Sequence, residues 1–198
     1  MTVEPPSFRS GPQRAGRPGS LEVFVADEQS EVDIPVDHYG ALSRYVLETE
    51  GVTGDVEFAL LFVDEPVMAD LNQTHMGKSG PTDVLAFPID DDLGQVGRSP
   101  DGGSRRPATR DPVAMPGPRL LGDVVVCPTV ASSNAAGNKG SYPHHDGSTR
   151  AEIDLLVVHG ILHVLGHDHA EPGEEAVMKA AERRLLDGFA QRSGGDSR

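Results

Sequence analysis

The feature that most constrains the fold is one long apolar segment that carries histidines at helical spacing. Residues 153–165 are apolar on nearly every side, which predicts a helix buried at the centre of the protein. Thr149 and Glu152 match the capping box that opens many helices, a Ser or Thr followed three residues later by Glu. Gly166 follows, where a residue in the left-handed conformation commonly ends a helix. The sequence therefore predicts a central helix that stops at this glycine.

Strand and helix patterns alternate around this central segment. The predicted strands cover residues 21–26, 56–63, 82–88 and 121–128. The other predicted helices cover residues 36–48, 64–74, 129–136 and 172–189. The mixture excludes an all-helical or an all-strand fold.

Length and composition indicate one folded domain with additional unstructured segments. The chain has 198 residues, of which 37% are hydrophobic, with 23 Gly and 16 Pro. We predict a disordered tail over 1–20, one domain over 21–191 and a frayed tail over 192–198. Residues from about 90 to 119 are rich in Gly, Pro, Asp and Arg, and we interpret them as a surface insertion. A solvated loop is favoured there over an arm that binds nucleic acid.

Charge and cysteine content limit the compartment and the partners. The formal net charge of −14 argues against broad, nonspecific binding to nucleic acid, although a local basic cleft is compatible with it. The single cysteine, Cys127, excludes an internal disulfide and is expected to be a small buried apolar residue. The first twenty residues contain no apolar signal region, and no apolar run reaches membrane-spanning length. We therefore expect a soluble, cytoplasmic protein without membrane association.

The histidines of the central segment predict a metal site. His159 and His163 are four residues apart, so they lie on the same face of a helix. After Gly166 the chain can double back and bring His169 to the same point. Three imidazoles leave the fourth tetrahedral position of zinc to water, as in catalytic sites. We predict one zinc ion bound by these three histidines, in preference to two hydrogen-bonded core histidines.

The residues around these ligands leave some choices open. His167 is an alternative to His169 as the third ligand, and Asp168 is either an acceptor for an imidazole N–H or a turn residue. The spacing matches that of metzincin proteases, but Gly160 stands where those enzymes carry a glutamate base. Bound zinc lowers the pKa of its water to about 7, so hydrolysis is the reaction class that the site favours.

Three segments resemble one known family, the YbeY-type endoribonucleases, which are bacterial rRNA maturation factors. The first is the stretch from His159 to His169, which reads HGILHVLGHDH. The second is Leu71-Asn72 followed by the segment GPTDVLAFP at residues 80–88, and the third is LGDVVVC at residues 121–127. The three occur in the family's order, and the similarity spans roughly residues 21–186.

The resemblance implies a fold and a function. It implies an α+β, zincin-like fold in which a mixed four-stranded sheet packs with helices around a central zinc-binding helix. It implies a zinc-dependent, single-strand-specific endoribonuclease acting in 16S rRNA 3′-end maturation and ribosome quality control. The implied partners are single-stranded RNA or rRNA, the small ribosomal subunit and its associated factors.

One position departs from the family pattern. Many members carry an arginine shortly before the Pro-Thr-Asp segment, and Met76 stands there in this chain. A guanidinium stabilises charge on a phosphoryl group, which a thioether does not do. Lys78 and His75 lie close by in sequence, and we take Lys78 together with His159 as candidate catalytic residues. A solvated surface lysine is the alternative for Lys78.

Two other functions remain open at this stage. One is a zinc hydrolase of another substrate, a peptidase or amidase, which Gly160 disfavours. The other is a non-enzymatic ribosome-assembly factor with a structural zinc ion. For the endoribonuclease, either zinc-bound water or the 2′-hydroxyl of the RNA is the attacking nucleophile.

Overall fold

A computed structural model describes residues 20–89, 117–142, 144–167 and 172–195. The predicted tail over 1–20 and the predicted insertion over about 90–119 lie outside this description, apart from residue 20 and residues 117–119. Residues 196–198 of the predicted C-terminal tail also lie outside it. None of the described helices combines the length and the apolar character needed to cross a membrane.

The described part of the chain is α+β, with four strands in one mixed sheet and five helices, as predicted. The strands are β1 (Leu21–Asp27), β2 (Val56–Phe62), β3 (Val84–Pro88) and β4 (Arg119–Val126). The helices are α1 (Val36–Thr49), α2 (Glu65–Met76), α3 (Pro128–Ala135), α4 (Thr149–Val164) and α5 (Pro172–Gly195). The strand order is β1-β2-β4-β3, in which β1, β2 and β4 are parallel and β3 is antiparallel to β4.

A β-bulge in β4 explains the Leu-Gly-Asp motif. The register between β2 and β4 shifts by one residue beside Glu57 and Phe58, so β4 carries one extra residue there. Gly122 has a φ of 142°, and a Cβ at this position would lie 2.3 Å from the carbonyl oxygen of Phe87. Only glycine therefore lets β4 approach β3, the strand of Phe87, this closely.

Helix α4 is the central element, as the sequence predicts. It packs against α1, α3, α5, β3 and β4, and nine of its sixteen residues are buried. Its cap differs from the prediction: the side chain of Ser148 accepts a hydrogen bond from the backbone N–H of Ala151, so Thr149 is already helical. The carboxylate of Glu152 binds Asn138 and His145 instead of completing a capping box.

The end of α4 matches the prediction closely. Gly166 is left-handed, with a φ of 89°. Its N–H donates to the carbonyl of His163, and the N–H of His167 donates to the carbonyl of Leu162. This pair of bonds is a Schellman motif, which satisfies the last carbonyls of the helix and turns the chain back across its end.

Two predicted boundaries are shifted in the structure. Strand β4 begins at Arg119, inside the range expected for the insertion. Helix α5 continues to Gly195, beyond the predicted end at residue 189 and into the tail expected from 192. A tertiary contact supports this extension, because the guanidinium of Arg192 lies 5.3 Å from the ring centre of Tyr45 on α1.

Candidate metal centre

His159 and His163 meet on one face of α4, near its C-terminal end. Their Nε2 atoms are 3.1 Å apart. The Nδ1 atom of His159 lies 2.8 Å from Oε1 of Glu182, and the Nδ1 atom of His163 lies 3.0 Å from the carbonyl oxygen of His167. The predicted pair is therefore assembled, and each ring is held from behind by a group outside α4.

The acceptors behind the two rings fix the tautomers. A carboxylate and a backbone carbonyl only accept hydrogen bonds, so both Nδ1 atoms carry a proton and donate. In two neutral imidazoles the Nε2 lone pairs then point towards each other, which is repulsive without a positive charge between them. Two nitrogens bound to one tetrahedral zinc ion are about 3.3–3.4 Å apart, close to the spacing seen here. The pair therefore fits the donor chemistry of a zinc site.

The third predicted ligand, His169, lies outside the described residues, as does Asp168. Within the described ranges, no group of three or more His, Cys, Asp or Glu side chains is placed to hold a metal. His167, the alternative ligand, contributes its backbone carbonyl to His163. The left-handed turn at Gly166 is what brings the carbonyl of His167 to the ring of His163.

Gly160 is required by the packing of α4 on the sheet. A Cβ at this position would lie 2.6 Å and 3.0 Å from the two Cγ atoms of Val124 on β4, and 3.4 Å from Val84 on β3. The backbone of α4 thus rests directly on the sheet beside His159. A glutamate side chain, which metzincins use as a base at this position, has no room here.

The Pro-Thr-Asp segment reaches the same end of α4. The side chain of the buried Asn72 on α2 donates to the carbonyl of Gly80, 2.8 Å away. The carboxylate of Asp83 accepts from the N–H of Val84 and from the side chain of Asn134 on α3. These bonds fix the loop between α2 and β3, and β3 then begins with Val84 beside Gly160.

Lys78 and Met76, which flank the glycine at the end of α2, are both at the surface. Lys78 is exposed and follows Gly77, the left-handed residue that ends α2. Met76 is the last residue of α2, and 46% of its surface is exposed. Among the described contacts, no hydrogen bond or ion pair joins Lys78 to His159 or His163. Its catalytic role therefore remains a prediction. His75, close by, packs edge-on against the ring of Phe87.

Glu182 and Tyr142, which the sequence patterns did not reveal, complete the surroundings of the His159–His163 pair. Glu182 of α5 is 3% exposed, and its second oxygen accepts a hydrogen bond from the hydroxyl of Tyr142. Burial, and then the bond to Glu182, raise the pKa of the Tyr142 hydroxyl well above its usual range, so it stays a donor. A sequence signal existed, because Glu182 falls between Met178 and Leu185 on the buried stripe of α5.

The loop that carries Tyr142 is anchored by a second buried pair. The N–H of Gly147 donates to Nδ1 of His145, so Nε2 of His145 donates to Glu152, 2.9 Å away. Both side chains are 2% exposed. The N–H of His145 in turn donates to the carbonyl of Tyr142. His145 is thus a buried structural residue; Cys127 is buried as expected.

Comparison with known proteins gives a consistent picture. Residues 24–190 match the family described as Endoribonuclease YbeY. A protein of that name from Salinispora tropica is 43% identical over 168 residues, which cover 84% of this chain and 94% of the relative. One from Beutenbergia cavernae is 43% identical, covering 80% and 91%, and one from Mycobacterium tuberculosis is 36% identical, covering 84% and 82%.

A solved structure is similar in fold. The solution structure of the Thermotoga maritima protein TM1509 matches with a TM-score of 0.53 and 21% identity. The match covers 89% of this chain and 94% of that protein. At this identity the likeness concerns the fold alone.

Proposed function

Because this chain belongs to the Endoribonuclease YbeY family, we propose that it is a zinc-dependent endoribonuclease that cleaves single-stranded RNA. Its role is ribosomal RNA processing, at the 3′ end of 16S rRNA and in ribosome quality control, with the small ribosomal subunit and its factors as partners. The cytoplasm, where ribosomes work, is the compartment. The unit that does this is one domain over residues 21–191, with α4 as the zinc-binding helix of a zincin-like fold.

The observation that carries the proposal is the pairing of His159 and His163. Both rings present Nε2 to one point, and acceptors behind both rings hold the tautomer that a metal requires. His169 follows the turn at Gly166 and is the proposed third ligand. Zinc bound there would supply a Lewis acid and a water of lowered pKa.

The residues of the chain have complementary tasks in this proposal. His159 and His163 hold their Nε2 atoms towards the metal, while Glu182 and the carbonyl of His167 hold the two rings. The loop between α2 and β3, fixed by Asn72 and Asp83, brings the positive charge of Lys78 to a phosphate of the substrate. Because the net charge of the chain is −14, the electrostatic attraction of RNA must come from local basic groups such as Lys78.

The packing of Gly160 separates this function from peptide hydrolysis. A zincin protease needs a carboxylate next to the first histidine ligand, and Val124 occupies the space that this side chain would need. Zinc held by His159, His163 and His169 would supply Lewis-acid chemistry and a water of lowered pKa for hydrolysis of a phosphodiester.

Cleavage of a single-stranded RNA that carries the 16S rRNA 3′ precursor sequence tests the proposal. We expect cleavage by the parent, loss of cleavage on addition of a chelator, and recovery with zinc. His159→Ala is expected to lose both stoichiometric zinc and cleavage. His38→Ala is the matched control, because that histidine binds Asp154 on another face of α4.

The same assay separates the alternatives. A His159→Ala variant that retains zinc and cleaves as well as the parent contradicts the proposed site. Zinc binding without any RNA cleavage by the parent supports a non-enzymatic assembly factor instead. An RNA with a single 2′-deoxy substitution at the scissile position then identifies the nucleophile, because continued cleavage excludes the 2′-hydroxyl.

A further inference from the structure

Glu182 is a buried carboxylate whose two oxygens have different partners. It lies on α5 between the buried side chains of Met178 and Leu185, and 3% of it is exposed. One oxygen accepts from Nδ1 of His159, 2.8 Å away, and the other accepts from the hydroxyl of Tyr142. Burying a charge is costly unless it is paired and hydrogen-bonded, so this arrangement is more than a surface contact.

The surroundings of Tyr142 keep this pair in place. The tyrosine lies in the loop before α4, and its carbonyl accepts from the N–H of His145. His145 is itself fixed by the buried bond to Glu152. The guanidinium of Arg183, next to Glu182 on α5, lies 5.7 Å from the centre of the Tyr142 ring. The chain thus supports one histidine of α4 from a separate helix and from a separate loop.

We propose that Glu182, oriented by Tyr142, is the positioning residue that fixes the tautomer and direction of His159 and thereby sets the zinc affinity of the centre. The inference rests on the zinc site of the proposed function. An acceptor that carries full negative charge makes Nδ1–H the favoured tautomer and leaves Nε2 as the metal-facing atom. It also raises the basicity of the ligand, which strengthens zinc binding.

Glu182→Gln is the decisive variant, because it keeps the shape of the side chain. An amide has one oxygen and one NH₂ group, whereas His159 and Tyr142 both donate to the carboxylate. In the variant the NH₂ group faces either the Tyr142 oxygen, which can accept and leaves His159 with a neutral acceptor in place of a charged one, or His159 itself. Where it faces His159, the ring must accept at Nδ1 and carry its proton on Nε2, which blocks zinc. We expect zinc affinity to fall by about 10- to 100-fold.

Two further variants complete the design. Tyr142→Phe keeps the carboxylate and removes one hydrogen bond to it, so we expect a smaller loss of zinc affinity, about fivefold. Asp154→Asn is the matched control. Asp154 lies on α4 and accepts a hydrogen bond from Nε2 of His38 at the same distance of 2.8 Å, but its partner is His38 and not His159. We expect its zinc affinity to stay within about twofold of the parent.

The experiment has two readouts on the full-length protein. Zinc affinity is measured by titrating metal-free protein in competition with a chromophoric chelator. The tautomer of His159 is measured on metal-free protein by ¹⁵N NMR of the imidazole nitrogens, above the ordinary histidine pKa of about 6.5. The parent is expected to show a protonated Nδ1, and Glu182→Gln a substantial share of protonated Nε2.

The outcomes distinguish the inference from the function on which it rests. Equal zinc affinity in the parent, Glu182→Gln and Asp154→Asn overturns the positioning role while leaving the zinc site intact. A parent that binds no zinc overturns the proposed function, and the NMR readout then still decides whether Glu182 fixes His159. If Glu182→Gln does not fold, Tyr142→Phe decides: a zinc affinity equal to that of the parent overturns the inference.

Discussion

Replacing Gly160 by alanine tests how closely α4 rests on the sheet. The added Cβ would lie 2.6 Å and 3.0 Å from the two Cγ atoms of Val124, well inside van der Waals contact. Val124 is fully buried and β-branched, so its side chain has little freedom to move away. The clash must therefore be relieved by a shift of α4, which carries His159 and His163.

The expected magnitude follows from two opposing effects. Gly to Ala inside a helix ordinarily stabilises by about 1 kcal/mol. Overpacking of a filled core costs about 1–3 kcal/mol. The sum predicts that Gly160→Ala lowers the free energy of unfolding by about 0–2 kcal/mol. Because the helix shifts, zinc binding by its histidines is expected to weaken as well.

Urea unfolding followed by circular dichroism provides the measurement, and Gly40→Ala provides the control. Gly40 also lies inside a helix, but a Cβ there would make an ordinary contact of 3.7 Å with Val25. We expect Gly40→Ala to stabilise by about 1 kcal/mol. A gain of the same size for Gly160→Ala would refute the close packing.

A double variant makes the test specific to the contact with Val124. Val124→Ala alone empties buried space and should cost about 1.5–3 kcal/mol. In the double variant Gly160→Ala/Val124→Ala the new Cβ has room, so the overpacking cost is relieved. The losses of the two single variants should therefore sum to about 1–3 kcal/mol more than the loss of the double variant. Strict additivity would contradict the account.

Three other predictions concern residues around the centre. Glu152→Ala leaves the buried N–H of the neutral His145 ring without its acceptor, and urea unfolding should show a loss of about 1–3 kcal/mol in the free energy of unfolding; an effect below about 0.5 kcal/mol would mean that the pair is not structural. Burial raises the pKa of Tyr39 far above its usual value of about 10, so the folded protein holds this proton longer than the unfolded chain. The free energy of unfolding should therefore keep the full contribution of Tyr39 below about pH 10 and decrease above it. Tyr39→Phe should reduce this alkaline decrease, and an identical decrease in the variant would exclude Tyr39 as its source. Met76→Arg adds a phosphate-binding group at an exposed position and should raise the RNA cleavage rate by about tenfold, whereas Met76→Gln should not; equal rates would show that the position is not used.

The sequence predicts those parts of the centre that depend on neighbouring residues. His159 and His163 share a face because of helical geometry, and Gly166 ends α4 because a left-handed residue is needed there. The four strands follow from their apolar runs and the turn residues between them. All of these are local properties, so spacing and residue type are sufficient to find them.

The parts that sequence reasoning missed depend on contacts between distant segments. Glu182 supports His159 from 23 residues away, and in the sequence it is one of 31 acidic residues. The capping box at Thr149 was wrong because Glu152 is held by His145 and Asn138 and is not available to the helix end. Similarly, α5 continues past its predicted end, where Arg192 rests on a tyrosine of α1. Such pairings exist only once the helices have packed.

The central claim is that the paired histidines of α4 hold a catalytic zinc ion. The most direct test adds zinc stepwise to metal-free protein while bound metal and RNA cleavage are measured in the same samples. We predict one zinc ion per chain, with the cleavage rate rising in proportion to bound zinc and reaching its maximum at one equivalent. Cleavage by the metal-free protein at the full rate, or no zinc bound at one equivalent, would contradict the account.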